Sequence, residues 1–151
     1  MILKTQIFGE IEIDENKKLV FEQGIIGYPD YKTFFLLYDI EKEGKTAISW
    51  LQSAEDECFA LPVINPLLVD ESYNPVVEDE ILASLGDAED EFAVFTTIRV
   101  PEDITKMTMN QMAPIIVNIR TQKCCQIIVE NQGYKVRMPI YDILKKKKEE
   151  K

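Results

Sequence analysis

The sequence predicts a mainly β chain: a compact, antiparallel, β-barrel-like single domain with one or two short helices, spanning residues 1–144 and followed by a charged, flexible tail at 145–151. Three observations predict it. Apolar and polar residues alternate with a period of two in one short segment after another. Gly, Pro, Asn and Asp punctuate these segments at the spacing of turns. One stretch alone carries clear helix signals, acids in its first turn and a glycine at its end. A chain of this size hides roughly 70% of the surface it would expose unfolded, enough for a core without metal or disulfide staples.

The elements follow in order. In "QIFGEIEID" Ile7, Ile11 and Ile13 share one face with Gly9, a half-buried strand, and after the loop "DENKK" the segment "KLVF" returns as its hairpin partner. "QGIIGYPDYKT" places Gly24, Gly27 and Pro29-Asp30 within a structured turn before the strand "FFLLYD". A charged loop around Gly44 leads to the strand "AISWLQS", and "CFALPVI" follows, where Pro62 lacks a donor and favours an edge or a bulge. "NPLLVDESYNPVVED" holds two Asn-Pro steps and reads as an irregular connection. "VEDEILASLG" is the helix, with Gly86 as a left-handed stop. "EFAVFTTIRV" is apolar on both faces, as a central strand is. "IIVNIR", "CCQIIVE" and "YKVRMPI", joined by "TQK" and "NQG", read as a terminal meander, with Gly133 supplying positive φ. Nine or so strands with one helix suit a barrel or a sandwich.

Composition excludes much. The chain has no histidine, so Ser-His-Asp and Cys-His catalysis, His-ligated zinc and His proton shuttles are ruled out. No run approaches the length of a membrane span, and the first residues lack the sections of a signal peptide, so a cytoplasmic, monomeric protein is expected. Three cysteines, two of them adjacent, argue against a disulfide framework. The net charge is −10, and all of the deficit lies in the middle: between Lys45 and Arg99 there are twelve acids and no base. Such a surface repels nucleic acid and anionic membrane and speeds encounter with a basic protein, besides keeping the chain soluble.

Candidate chemistries are few. Met107, Met109 and Met112 in "MTMNQMAPIIVN" fill a core before they bind a soft metal or a partner, and Pro114 holds Ala113 extended ahead of a strand. The acids offer no positional clue to a pair suited to glycoside hydrolysis. No calcium loop and no phosphate-cradling glycine motif is present, so no cofactor or metal is expected. Trp50 reads as a core residue or an interface anchor, and Cys58, Cys124 and Cys125 as small apolar fillers.

Five segments, "FGEIEID", "QGIIGYPDYKTFFLL", "SWLQSAEDECFALPVINP", "VPEDITKMTMNQMAPIIVN" and "QIIVE", stand in an order and spacing that resembles the flagellar assembly factor FliW family over residues 5–136. The resemblance implies a compact antiparallel β-barrel-like fold and a non-enzymatic regulator with two partners. These are flagellin and the RNA-binding translational repressor CsrA, which the factor antagonises allosterically once flagellin has been exported. Motif correspondence points to Trp50 and Gln52 in "WLQS", Asn65 and Pro66 in "VINP", and Asn110 and Pro114 in "MNQMAP" as partner contacts, each of which also suits a purely structural place. Cys124-Cys125 departs from the more polar pair the family pattern carries there. Two readings of other classes stay open: a carboxylate-dependent β-barrel hydrolase, and an acidic mimic of nucleic acid that blocks a basic groove.

Overall fold

The computed structural model describes residues 1–38, 48–131 and 133–149, the last three of these by backbone alone. The charged loop around Gly44 lies outside the described residues.

Seven strands close on themselves. In ring order they are β7 (Phe92–Arg99), β6 (Ala60–Ile64), β5 (Ile48–Ser53), β4 (Thr33–Leu37), β3 (Leu19–Phe21), β10 (Lys123–Gln126) and β9 (Ile115–Asn118), which pairs back onto β7. Closure leaves these strands no exposed edge. The expected barrel-like, mainly β fold with short helices therefore holds, and among the described residues every strand pairing is antiparallel except one. β3 and β10 run parallel, with Val20 opposite Lys123 and Phe21 opposite Cys124. Gln122 makes that junction: it takes φ +63, its Nε2 donates to the carbonyls of Asn16 and Lys18, and its own carbonyl accepts from Val20 N.

Alternation in β4 explains why "FFLL" is apolar throughout. Phe34 joins the barrel interior with Phe21, Leu51, Val63, Ile115, Val117 and Cys124. Phe35 and Leu37 face outward beneath a hairpin of β1 (Ile2–Thr5) and β2 (Gly9–Glu12), where Leu3, Phe8, Ile11, Ile13 and Trp50 cover them. Each such side chain taken out of water contributes about 1.5–3 kcal/mol. Side chains fill the barrel, leaving an apolar void of about 10 Å³ among Leu19, Leu36, Leu51, Val63, Phe95, Ile115 and Val117, which is at the threshold for one water.

Beyond the barrel β7 continues into a three-stranded wing, where its last residues pair with β8 (Thr108–Met109) and β8 with β11 (Met138–Pro139). Beneath the wing lies a second apolar cluster of Ile64, Val69, Ile98, Met107, Met109 and Ile140. Helix α2 (Tyr141–Glu149) packs Tyr141, Ile143 and Leu144 against it. The other helix, α1 (Asp79–Ser84), precedes the acidic loop that leads into β7.

Four expectations change. The amino-terminal hairpin is β1–β2, with residues 6–8 as its turn; Thr5 Oγ1 accepts from Phe8 N and donates to the Gly9 carbonyl, while Leu19–Phe21 joins the barrel instead. The terminal meander ends after one hairpin, because β11 pairs with β8 and not with β10. Residues 145–149, expected in the tail, continue α2. Pro62 sits in an interior strand, and pairing of β6 with β7 takes in only Val63 and Ile64, so the missing donor falls where that ladder stops.

Candidate partner-binding surface

The loop after β3 is pinned by backbone geometry. Gly24 has φ +69, and a Cβ there would lie 2.6 Å from the Pro29 backbone, so the chain doubles back tightly enough to exclude any side chain. Ile25 buries its side chain in the barrel core and exchanges backbone hydrogen bonds with Tyr28. What remains outside is Ile26 and Tyr28, each about half exposed.

Gln126 ties this loop to the "MNQMAP" segment. Its Oε1 accepts from Ile26 N at 3.0 Å and its Nε2 donates to the Ala113 carbonyl at 3.2 Å. Ile128, 69% exposed, follows two residues later. On the other side Tyr28 and Tyr31 stack in parallel at a centroid distance of 5.9 Å, and Phe59 meets both at a tilt, at 4.5 and 4.9 Å. Tyr31 Oη donates to Asp56 Oδ2 at 2.6 Å, and this hydrogen bond lowers the Asp56 pKa while raising that of Tyr31.

Asp56 belongs to an acidic turn held rigidly in place. Ser53 Oγ accepts from the amides of Glu55 and Asp56, and Glu55 accepts from the amides of Lys32 and Thr33. Glu55 and Glu57 stand exposed beside the aromatic cluster. The arrangement offers apolar side chains next to fixed negative charge, which suits a basic protein surface and lacks the enclosed cavity a small molecule needs.

A second acidic segment, residues 87–91, is moored to the β9–β10 turn. Arg120 binds Asp90 through both guanidinium and carboxylate forks, Asn118 Nδ2 donates to the same carboxylate at 2.9 Å, and Asp87 N does likewise. These donors, Arg120 foremost, hold the Asp90 carboxyl well below the usual range. Gly86 sits against this knot: a Cβ would meet Asn118 Nδ2 at 2.6 Å, so close approach explains the glycine rather than a left-handed helix stop at its φ of +153.

The residues singled out from the sequence fall in different surroundings. Trp50 is half-buried on the outer face of β5, beneath the β1–β2 hairpin, opposite Leu37 and Pro62. Gln52 is fully buried; its Nε2 lies 3.0–3.3 Å from the carbonyls of Ser53, Asp56, Glu57 and Phe59, so it organises the acidic turn from below. Asn65 is exposed and caps a 3₁₀ turn, Pro66–Leu68, by accepting from Leu67 N; Pro66 itself is buried. Asn110 is half-buried and accepts from Met112 N, and Pro114 is buried. Asn65 and Asn110 cap local turns on different elements, while Asn110 N bonds the Thr97 carbonyl on β7, next to the strand that leads to Asn65. Met107 and Met109 are core side chains. Cys124 is buried as a filler and Cys125 half-buried, but Cys58 lies exposed on the acidic turn and fills nothing. Asp90, Arg120 and Gln126 escaped the sequence reading because each works with residues distant in the chain.

The FliW protein family model matches residues 2–140. The chain is 51% identical to the flagellar assembly factor FliW of Lachnospira eligens, over 97% of this chain and 98% of that protein. It is 48% identical to that of Lachnoclostridium phytofermentans, covering 94% and 92%, and 39% identical to that of Thermotoga neapolitana, covering 91% of each. A crystal structure of the flagellar assembly factor FliW superimposes with a TM-score of 0.83 at 29% identity, covering 93% of this chain and 97% of that one.

Proposed function

The chain belongs to the FliW family, and we propose that it is a non-enzymatic flagellar assembly factor that switches between two protein partners. One is newly made flagellin. The other is a CsrA-type repressor of flagellin translation, which the factor binds when flagellin has left the cytoplasm, antagonising it from a site away from the RNA.

The observation that carries this reading is the pairing of exposed Ile26 and Tyr28 with the rigid acidic turn at Glu55–Glu57. An RNA-binding repressor carries basic surface, so the acids guide encounter while the apolar side chains hold the docked state. Pre-organisation of both loops lowers the ordering cost of binding. Asn65, Asn110 and the accessible flank of Trp50 are proposed as further contacts, with Gln52, Pro66 and Pro114 setting the loops that present them.

Titration calorimetry with purified flagellin, with the repressor, and with the repressor already loaded with its RNA tests the reading. Binding in all three cells, with flagellin weakening capture of the repressor, is the expected result. Loss of binding to the RNA-loaded repressor would favour direct mimicry of nucleic acid, and silence in every cell would end the proposal.

A further inference from the structure

The sheet register builds a second surface of opposite charge. Across the wing Ile98, Met109 and Met138 form one row, and Arg99, Thr108 and Pro139 the next. The first row points into the apolar cluster beneath, so alternation turns the neighbouring positions outward. Thr97, Arg99, Thr108, Asn110 and Arg137 accordingly line an open cleft of about 170 Å³, flanked by exposed Val136.

Among the described residues no acid lines this cleft. Arg99 and Arg137 are exposed, and among the described residues the ion pairs engage the Met1 amino group, Arg120 and Lys123 instead. Two unpaired guanidinium forks beside two threonine hydroxyls make a donor-rich face in a chain of net charge −10. Arg99 lies on β7 and Arg137 immediately precedes β11, two strand widths across and one two-residue step along, roughly 12 Å between backbones; same-side residues of an extended peptide are spaced by about 7 Å, within reach of two long guanidinium side chains. Pro139 lies in the outermost strand, where it offers no amide donor, so a peptide lies across this face rather than joining the sheet edge. The overall negative field penalises a nucleic-acid backbone far more than a segment with two carboxylates.

We propose that the solvent-exposed face of the wing that bears Arg99 and Thr108, where the barrel-interior side of β7 runs on past the end of the barrel, binds an extended acidic polypeptide segment presenting two carboxylates on one side. This goes beyond the partner switch and does not depend on the identity of either partner.

Fluorescence polarisation with a labelled Leu-Glu-Leu-Glu-Leu peptide and its glutamine counterpart tests it on the full chain. The acidic peptide should bind about tenfold more tightly than the glutamine one. The double variant Arg99→Gln/Arg137→Gln, with an unchanged circular dichroism spectrum, should erase that difference, and Lys145→Gln/Lys146→Gln, which removes the same charge elsewhere, should keep it. Equal binding by wild type and the arginine variant overturns the proposal, as does equal loss in the lysine variant. Displacement of the peptide by millimolar inorganic phosphate would make the cleft a free-anion site. Self-association of the wild type that vanishes in the arginine variant would make its occupant a second copy; either result also overturns it.

Discussion

Arg120 grips Asp90 with two parallel hydrogen bonds, Nη2 to Oδ2 at 2.7 Å and Nε to Oδ1 at 3.0 Å, joining the acidic loop after α1 to the β9–β10 turn. Asn118, fully buried between them, donates to the carboxylate and accepts from the amides of Arg120 and Thr121. Because the folded-state pKa of Asp90 is depressed, its contribution is complete above the ordinary carboxylate pKa and fades as pH falls toward the folded value. Asp90→Asn should therefore lower the melting temperature most near neutral pH, with the gap to wild type narrowing below about pH 4. Asn118→Ala, which leaves the partly buried amides of Arg120 and Thr121 without their acceptor, should cost about 1–3 kcal/mol both near neutral pH and below about pH 4. Thermal melts across the pH range check both.

Gly24→Ala places a Cβ against the immovable Pro29 backbone at a left-handed φ. A loss on the order of 1–3 kcal/mol is expected, together with weaker partner binding as Ile26 and Tyr28 are displaced. Gly27 also has positive φ, +89, but meets nothing within 4 Å. Gly27→Ala should cost only the intrinsic conformational term, about 1–2 kcal/mol. Denaturant melts of the two variants separate steric from conformational cost.

Gln52→Glu would turn a carboxylate oxygen toward four carbonyls in a site with no exposure. Burial raises the pKa of such an acid, so the penalty is absent below its ordinary pKa and grows as pH rises above it. The variant should be destabilised by about 3–5 kcal/mol at neutral pH and recover on acidification, the same direction of pH dependence as Asp90→Asn but from an acid placed where nothing can pair with it. Urea unfolding at two pH values measures this.

Desolvation lifts the Cys124 thiol to about 12 and that of Cys125 to about 11. Near pH 8 fewer than roughly one in a thousand of either is thiolate, so a disulfide reagent should modify exposed Cys58 first. One fast equivalent in the native state and three after denaturation is the expected count; a fast Cys58→Ser variant would contradict it.

If the acidic turns steer association, raising salt from about 0.05 to 0.5 M should slow the on-rate for a basic partner by about tenfold and leave the off-rate nearly constant. Ile26→Asp should act oppositely, raising the off-rate, because it removes docked apolar contact. Stopped-flow mixing distinguishes the two.

Local chemistry made much of this legible. Alternation in "AISWLQS", "CFALPVI" and "EFAVFTTIRV" marks β5, β6 and β7, and the first-turn acids mark α1. The misreadings share a cause. "KLVF" and "YKVRMPI" look like strands, and parts of both are, but their partners are chosen by long-range closure: β3 beside β10 across a hundred residues, β11 beside β8. A strand's pattern shows which face is buried and is silent on who pairs with it.

The candidate surfaces divide along the same line. Sequence alone determined a histidine-free, acid-centred, mainly β chain of the FliW pattern, since composition and period-two alternation are properties of consecutive residues. Tertiary structure decided that Gln52 serves from inside, that Gln126 brings Ile26 beside Ala113, that Arg120 closes on Asp90, and that Arg99 and Arg137 share one outward face. Those relations arise only when the ring of strands closes, because hydrogen bonds and charge pairs act over a few ångströms of space whatever the distance along the chain.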